Sequence, residues 1–122
     1  MPRQILDESL LHPAIRDKVA NLHADIVHNV QAAAASNAVL VVGMAFNVPC
    51  RKLRRHLDAA GVAYQYLQYG SYLSQWRRRN ALKMWTGWPT FPMVFVKGQL
   101  VGGAADMRRL VDSGELKRLL VP

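Results

Sequence analysis

Trp88-Pro89-Thr90-Phe91-Pro92, with the Met93-Val94-Phe95-Val96-Lys97-Gly98-Gln99-Leu100-Val101-Gly102-Gly103 that follows, is the stretch whose reading decides the architecture. Thr86-Gly87-Trp88-Pro89 reads as a loop. Pro92 to Val96 is a short apolar run with the β-branched and aromatic content of a strand, and Leu100-Val101 is a second. Lys97-Gly98-Gln99 between them has the composition of a tight hairpin turn. Gly102-Gly103 leads into a last helical region, Ala104 to Leu120, interrupted near Ser113-Gly114.

Upstream of that stretch, helical and strand patterns alternate. Ser71 to Trp85 reads as a helix opened by Ser71 or Ser74 as its cap, and Val62 to Gln68 as a Tyr-rich strand. Cys50 to Ala60 has helical spacing, with Leu53 and Leu57 inward, basic side chains outward and Gly61 as the C-terminal stop. Phe46-Asn47-Val48-Pro49 breaks the pattern. Ala38 to Gly43 is a Val-rich continuous run suited to a strand buried on both faces. His12 to Ala35 reads as one helix, with Pro13 in its first turn and Ile15, Val19, Leu22, Ile26 and Val30 along one stripe. The order α-β-α-β-α-β-β-α implies α/β layering around a small mixed sheet.

Composition narrows the classes. The chain has 122 residues, 51% of them hydrophobic, which suits a single core and neither a disordered nor a fibrous chain. No apolar run reaches the ~20 residues of a membrane span. Asp7, Glu8 and His12 sit where a secretory or transit signal needs other chemistry, so a cytoplasmic protein is expected. Cys50 is the one cysteine, which excludes an intramolecular disulfide and an all-cysteine metal site. The four histidines have no metal-ligand spacing. A net charge of +8 brings anionic partners into consideration. Arg51, Lys52, Arg54 and Arg55 form one basic block and Arg77, Arg78 and Arg79 another, but no nucleic-acid-reading motif accompanies them. Nucleic acid is therefore disfavoured as a partner.

From about Val39 to Leu120 the sequence resembles the glutaredoxins, a branch of the thioredoxin fold, and the monothiol class most closely. The resemblance rests on Trp88-Pro89-Thr90-Phe91-Pro92, Lys97-Gly98 and Val101-Gly102-Gly103 in order and spacing. It implies a three-layer fold with a four-stranded mixed sheet, residues 38–122, and an N-terminal helical extension, residues 1–37. It also implies that Pro92 is the cis-proline facing the active-site loop. In the family a buried strand leads into Cys-X-X-Cys or Cys-Gly-Phe-Ser at a helix N-terminus, and the corresponding tetrapeptide here is Asn47-Val48-Pro49-Cys50. The attacking position is thereby Asn47, and Cys50 falls where two-cysteine members hold the resolving thiol.

The same resemblance supplies a glutathione site made of Arg79, Thr90, Phe91, Pro92, Gly103 and Asp106, with Trp88 and Gly102 in its scaffold. Met44 stands where the family has a lysine, and Ala105 where it has an aspartate, with Asp106 one step on. Asp106 then either serves the ligand or caps the last helix. The implied function is a glutaredoxin-like module, redox-inactive or weakly active, that binds glutathione weakly or a peptide segment along the Pro92 groove. The alternative is a glutathione-dependent thiol-disulfide oxidoreductase using Cys50 as its only thiol. Cys50 itself reads either as a buried structural side chain or as a thiolate favoured by the helix dipole and by Arg51 and Lys52. Monothiol members bridge two subunits with a [2Fe–2S] unit ligated by their active-site cysteines and by glutathione. Asn47 supplies no thiolate, so no such cluster is expected. The sequence leaves the oligomeric state open.

Overall fold

The computed structural model describes residues 2–121. After a 3₁₀ turn at Glu8–Leu10, the elements run α1 (Pro13–Asn21), α2 (Ala24–Ser36), β1 (Val39–Gly43), α3 (Val48–Ala59), β2 (Gln65–Gln68), α4 (Trp76–Thr86), β3 (Met93–Val96), β4 (Gln99–Gly102), α5 (Ala104–Asp112) and α6 (Glu115–Leu120). The sheet has the order β2-β1-β3-β4. Strand β1 lies parallel to β2, Val41 opposite Tyr66, and antiparallel to β3, Val41 opposite Val94. Strands β3 and β4 form a hairpin across Lys97-Gly98, both at positive φ (49° and 81°), the backbone that a two-residue primed turn requires.

Side-chain alternation on the strands divides the core in two. Leu40, Val42, Met93 and Phe95 face α2 and α4, where Ile26, Val30, Ala81 and Leu82 are buried. Val39, Val41, Val94 and Val96 face α3, α5 and α6 through Leu53, Leu57, Met107 and Leu116. Strand β1 is buried throughout, as its unbroken apolar run requires.

Strand β2 begins at Gln65 rather than Val62 and α3 at Val48 rather than Cys50, and two helices differ more. The single helix expected over His12 to Ala35 is two, because Leu22 is extended and His23 takes φ 47°. Histidine tolerates that region better than most residues, and Asp25 then falls in the first turn of α2, where the helix dipole favours an acid. The break also divides the apolar stripe: Ile26 and Val30 are buried, whereas Ile15, Val19 and Leu22 remain exposed. Helix α4 starts at Trp76, with Gln75 at its N-cap, rather than at Ser71 or Ser74. The two serines instead close a turn on each other, Ser71 N–H donating to Ser74 Oγ at 3.0 Å.

Candidate functional site

The C-terminal end of β1 and the N-terminal ends of α3 and β3 meet around a groove of about 440 Å³, lined by Met44, Asn47, Pro49, Tyr72, Lys83, Pro89, Thr90, Phe91, Pro92 and Ala104. One wall is the first turn of α3. Asn47 is its N-cap, accepting at Oδ1 from the Cys50 N–H at 2.9 Å. This satisfies one of the N–H groups that a helix start leaves unpaired. Pro49 sits in the same turn, where its missing N–H costs no helical bond. The Asn47 Nδ2 donates to the Tyr72 hydroxyl at 3.0 Å, tying the helix start to the loop after β2.

Cys50 lies one turn inward and is 2% exposed. It joins the buried cluster with Leu40, Val42, Met44 and Phe91. Burial pushes its thiol up from the ordinary value, and a backbone hydrogen bond at Met44 and the charge of Arg54 oppose that less strongly. A side chain at Gly43 would bring a Cβ within 2.8 Å of Cys50 Sγ and of the Tyr66 hydroxyl, so glycine there makes room for both. Arg54 stacks over the Tyr66 ring at 4.0 Å and closes this inner face.

The opposite wall is the approach to β3. The Phe91–Pro92 peptide bond is cis. Phe91 and Pro92 are buried, while Thr90 is exposed on the rim. Thr86 Oγ1 accepts from the Trp88 N–H at 3.1 Å and donates to the Leu82 carbonyl at 2.8 Å, fixing the loop to the end of α4. Gly103 packs beneath, where an added Cβ would stand 3.3 Å from Trp88 Nε1 and 3.4 Å from the Pro92 carbonyl.

The groove thus brings Asn47, Thr90, Phe91 and Pro92 together, and three other expected site residues do other work. Arg79 is 6% exposed and does not line the groove. Its Nη1 donates to the carbonyls of Tyr69 and Ser74, bracing the loop that carries Tyr72. Burial pulls the Arg79 pKa down from its ordinary value. Asp106 accepts the Gly103 N–H at 3.0 Å and pairs with Arg109 at 2.7 Å, so it is the N3 acid that reaches back to satisfy the Gly103 cap of α5. The Gly103 hydrogen bond is the main cause of its lowered carboxyl pKa. Cys50 also lies outside the groove lining and borders an adjoining, smaller depression that shares Met44 and Asn47 with the groove and adds Arg51, Arg54, Tyr66 and Gln68.

Lys83 is the residue that sequence reading missed. It lies one helical turn beyond Arg79 on α4, lines the groove and stands 5.8 Å from the Phe91 ring centroid. The i, i+4 relation to Arg79 was the available signal, because both project from one side of the helix.

The family described as Glutaredoxin matches residues 48–101. A "Glutaredoxin-like protein" of Dictyostelium discoideum is 42% identical over 102 residues, covering 84% of this chain and 83% of that protein. The chain belongs to the glutaredoxin family. Monothiol glutaredoxin-4 of Schizosaccharomyces pombe is 38% identical over 58 residues, which span 46% of this chain and only 24% of that longer glutaredoxin. Among solved structures, oxidized glutaredoxin 2 of Chlamydomonas reinhardtii superposes with a TM-score of 0.68 at 27% identity, covering 80% of this chain and 92% of that one. A buckwheat glutaredoxin–glutathione complex reaches the same TM-score of 0.68 at 23% identity over 82% of this chain and 91% of that one, a likeness of fold. This glutaredoxin-like chain therefore has the thioredoxin-like α/β fold of its relatives.

Proposed function

We propose that this glutaredoxin-like protein has lost the family's thiol chemistry and works as a binding module, taking glutathione or a peptide segment non-covalently in the Pro92 groove. The observation that carries the reading is the Asn47 side chain, which caps α3 through the Cys50 N–H and holds Tyr72 at the groove. In the register the resemblance implies, Asn47 stands where the attacking cysteine would be. Thiol–disulfide exchange starts from a thiolate, and an amide has none to offer. Cys50 is a poor substitute. Its burial lowers the thiolate fraction and denies an incoming disulfide access to Sγ.

Glutathione as ligand is supported by the family and by the buckwheat neighbour, which is described as a glutathione complex. In this reading Lys83 takes a ligand carboxylate, the Phe91 backbone pairs with the extended peptide beside Pro92, and Thr90 forms the rim. Arg79 and Asp106 act behind the surface, bracing the Tyr72 loop and capping α5. Affinity is weak, because Met44 and Ala105 replace charged family positions, and each missing charge-assisted bond costs about 1.5–3 kcal/mol. The donor set does not fit a bridging iron–sulfur cluster: the only thiol is buried and the position facing the groove is an amide. We assign the protein to the cytoplasm, where an unpaired thiol persists in the reduced state.

Calorimetric titration with glutathione, run beside a glutathione-coupled assay on a small disulfide, tests this. Saturable weak binding, reduced at least about tenfold by Lys83→Ala, is expected together with turnover no higher than background. Turnover comparable to a two-cysteine glutaredoxin, abolished by Cys50→Ser, would overturn the non-enzymatic reading. Unchanged binding in Lys83→Ala would overturn the ligand placement.

A further inference from the structure

Away from the groove, the solvent faces of α3 and α5 enclose a shallow depression of about 460 Å³ lined by Lys52, Arg55, His56 and Arg108. It shares no residue with the groove lining. Lys52, Arg55 and His56 fall at i, i+3 and i+4 on α3, so they project from one helix face, and α5 packed alongside adds Arg108. Asp112 meets His56 of this lining at 2.9 Å, and Asp106 pairs with Arg109 at 2.7 Å.

Most arginines elsewhere have partners. Arg54 covers Tyr66, Arg77 covers Trp76, Arg78 meets Asp25, Arg79 meets loop carbonyls, and Arg16 meets the Leu11 and Ser9 carbonyls. Among the described residues, Lys52, Arg55 and Arg108 have no ion pair, side-chain hydrogen bond or stacking contact. Lys52, Arg55 and Arg108 are exposed around this depression, so their heads are free to meet a bound anion.

We infer that the α3–α5 depression is a binding site for a compact polyanion carrying two or more phosphate groups. Two guanidinium forks and an ammonium match several phosphate oxygens at once, with the arginines able to bind in bidentate fashion. The lining holds no apolar or stacking side chain apart from the imidazole of His56. Single-stranded nucleic acid, which relies on aromatic platforms, and an acidic amphipathic helix, which needs an apolar seat, fit it less well. A phosphorylated lipid headgroup and a free polyphosphate present the same chemistry.

Calorimetry of the full chain with inorganic tripolyphosphate reads the site. The exposed triple variant Lys52→Ala/Arg55→Ala/Arg108→Ala is compared with a charge-matched control, Lys18→Ala/Arg77→Ala/Lys117→Ala, and circular dichroism confirms that both fold. Saturable binding is expected, at least tenfold weaker in the first variant and within twofold of wild type in the control. Equal weakening by both variants, or orthophosphate binding as tightly as tripolyphosphate, would overturn the site. Tighter binding to a 20-nucleotide single-stranded RNA, equally weakened by both variants, would likewise reject it in favour of diffuse charge. Cosedimentation with phosphatidylcholine vesicles containing phosphatidylinositol bisphosphate separates the sources: retention that tripolyphosphate displaces assigns a lipid headgroup, and tripolyphosphate binding without retention assigns a soluble ligand.

Discussion

On its β3 side the groove is formed by backbone and core side chains, with Phe91 and Pro92 buried and Trp88 and Gly103 packed behind them. On its α3 side the surface is a helix start held by one polar side chain, Asn47, with the thiol withdrawn one turn inward. The first wall is fixed by packing, so it persists whatever chemistry the groove performs. The second wall is held by the residue at a single capping position, and in the function proposed above that residue also sets the chemistry. Shape and reactivity are therefore separable in this fold, and the two walls respond differently to substitution.

The largest effect belongs to the packed wall. Phe91→Ala empties a site shared by the groove and the core, and should cost about 3–5 kcal/mol of stability in denaturant unfolding. A cost near zero would mean that this wall is surface rather than core.

Next comes the contrast between the two cations of α4. Arg79→Met leaves the Tyr69 and Ser74 carbonyls without their donor and should cost about 1–3 kcal/mol, while glutathione affinity falls mainly through the loosened Tyr72 loop. Lys83→Ala should change stability by less than about 0.5 kcal/mol, as half-exposed surface changes usually do, and act on binding. Reversed roles, with stability lost at Lys83 and binding lost at Arg79, would return Arg79 to the ligand.

The smallest effect is at the foot of the packed wall. Asp106→Ala removes the α5 cap at a cost of about 1 kcal/mol at neutral pH. Because folding lowers the Asp106 pKa, its contribution is present above the unfolded carboxylate value of about 3.9 and is lost as pH falls through the folded value. Wild type and variant should therefore converge in stability in acid and diverge toward neutrality. A constant gap across that range would contradict the capping role.

Much of the β3 wall was legible in the sequence, because prolines, paired glycines and a short apolar run constrain backbone directly: the hairpin at Lys97-Gly98 and the strands on either side of it lie where that pattern puts them. Side-chain destinations were less legible. Arg79 and Lys83 carry the same sign one helical turn apart, and only the position of the Tyr69–Ser74 loop decides which is buried. The break at Leu22-His23 was hidden for a related reason. An unbroken apolar stripe from Ile15 to Val30 does not reveal that the sheet reaches only its second half.

Loss of thiol chemistry from the α3 wall is tested by the labelling rate of native protein by a chromogenic disulfide at pH 7. Cys50 should label far more slowly than free glutathione, with a rate that rises under denaturant and at alkaline pH as the raised thiol ionises. Asn47→Cys should add one fast thiol at the start of α3 and form a disulfide with Cys50 under mild oxidant. Wild-type Cys50 labelling as fast as glutathione in native buffer, or an introduced thiol that stays slow and never pairs, would contradict the account.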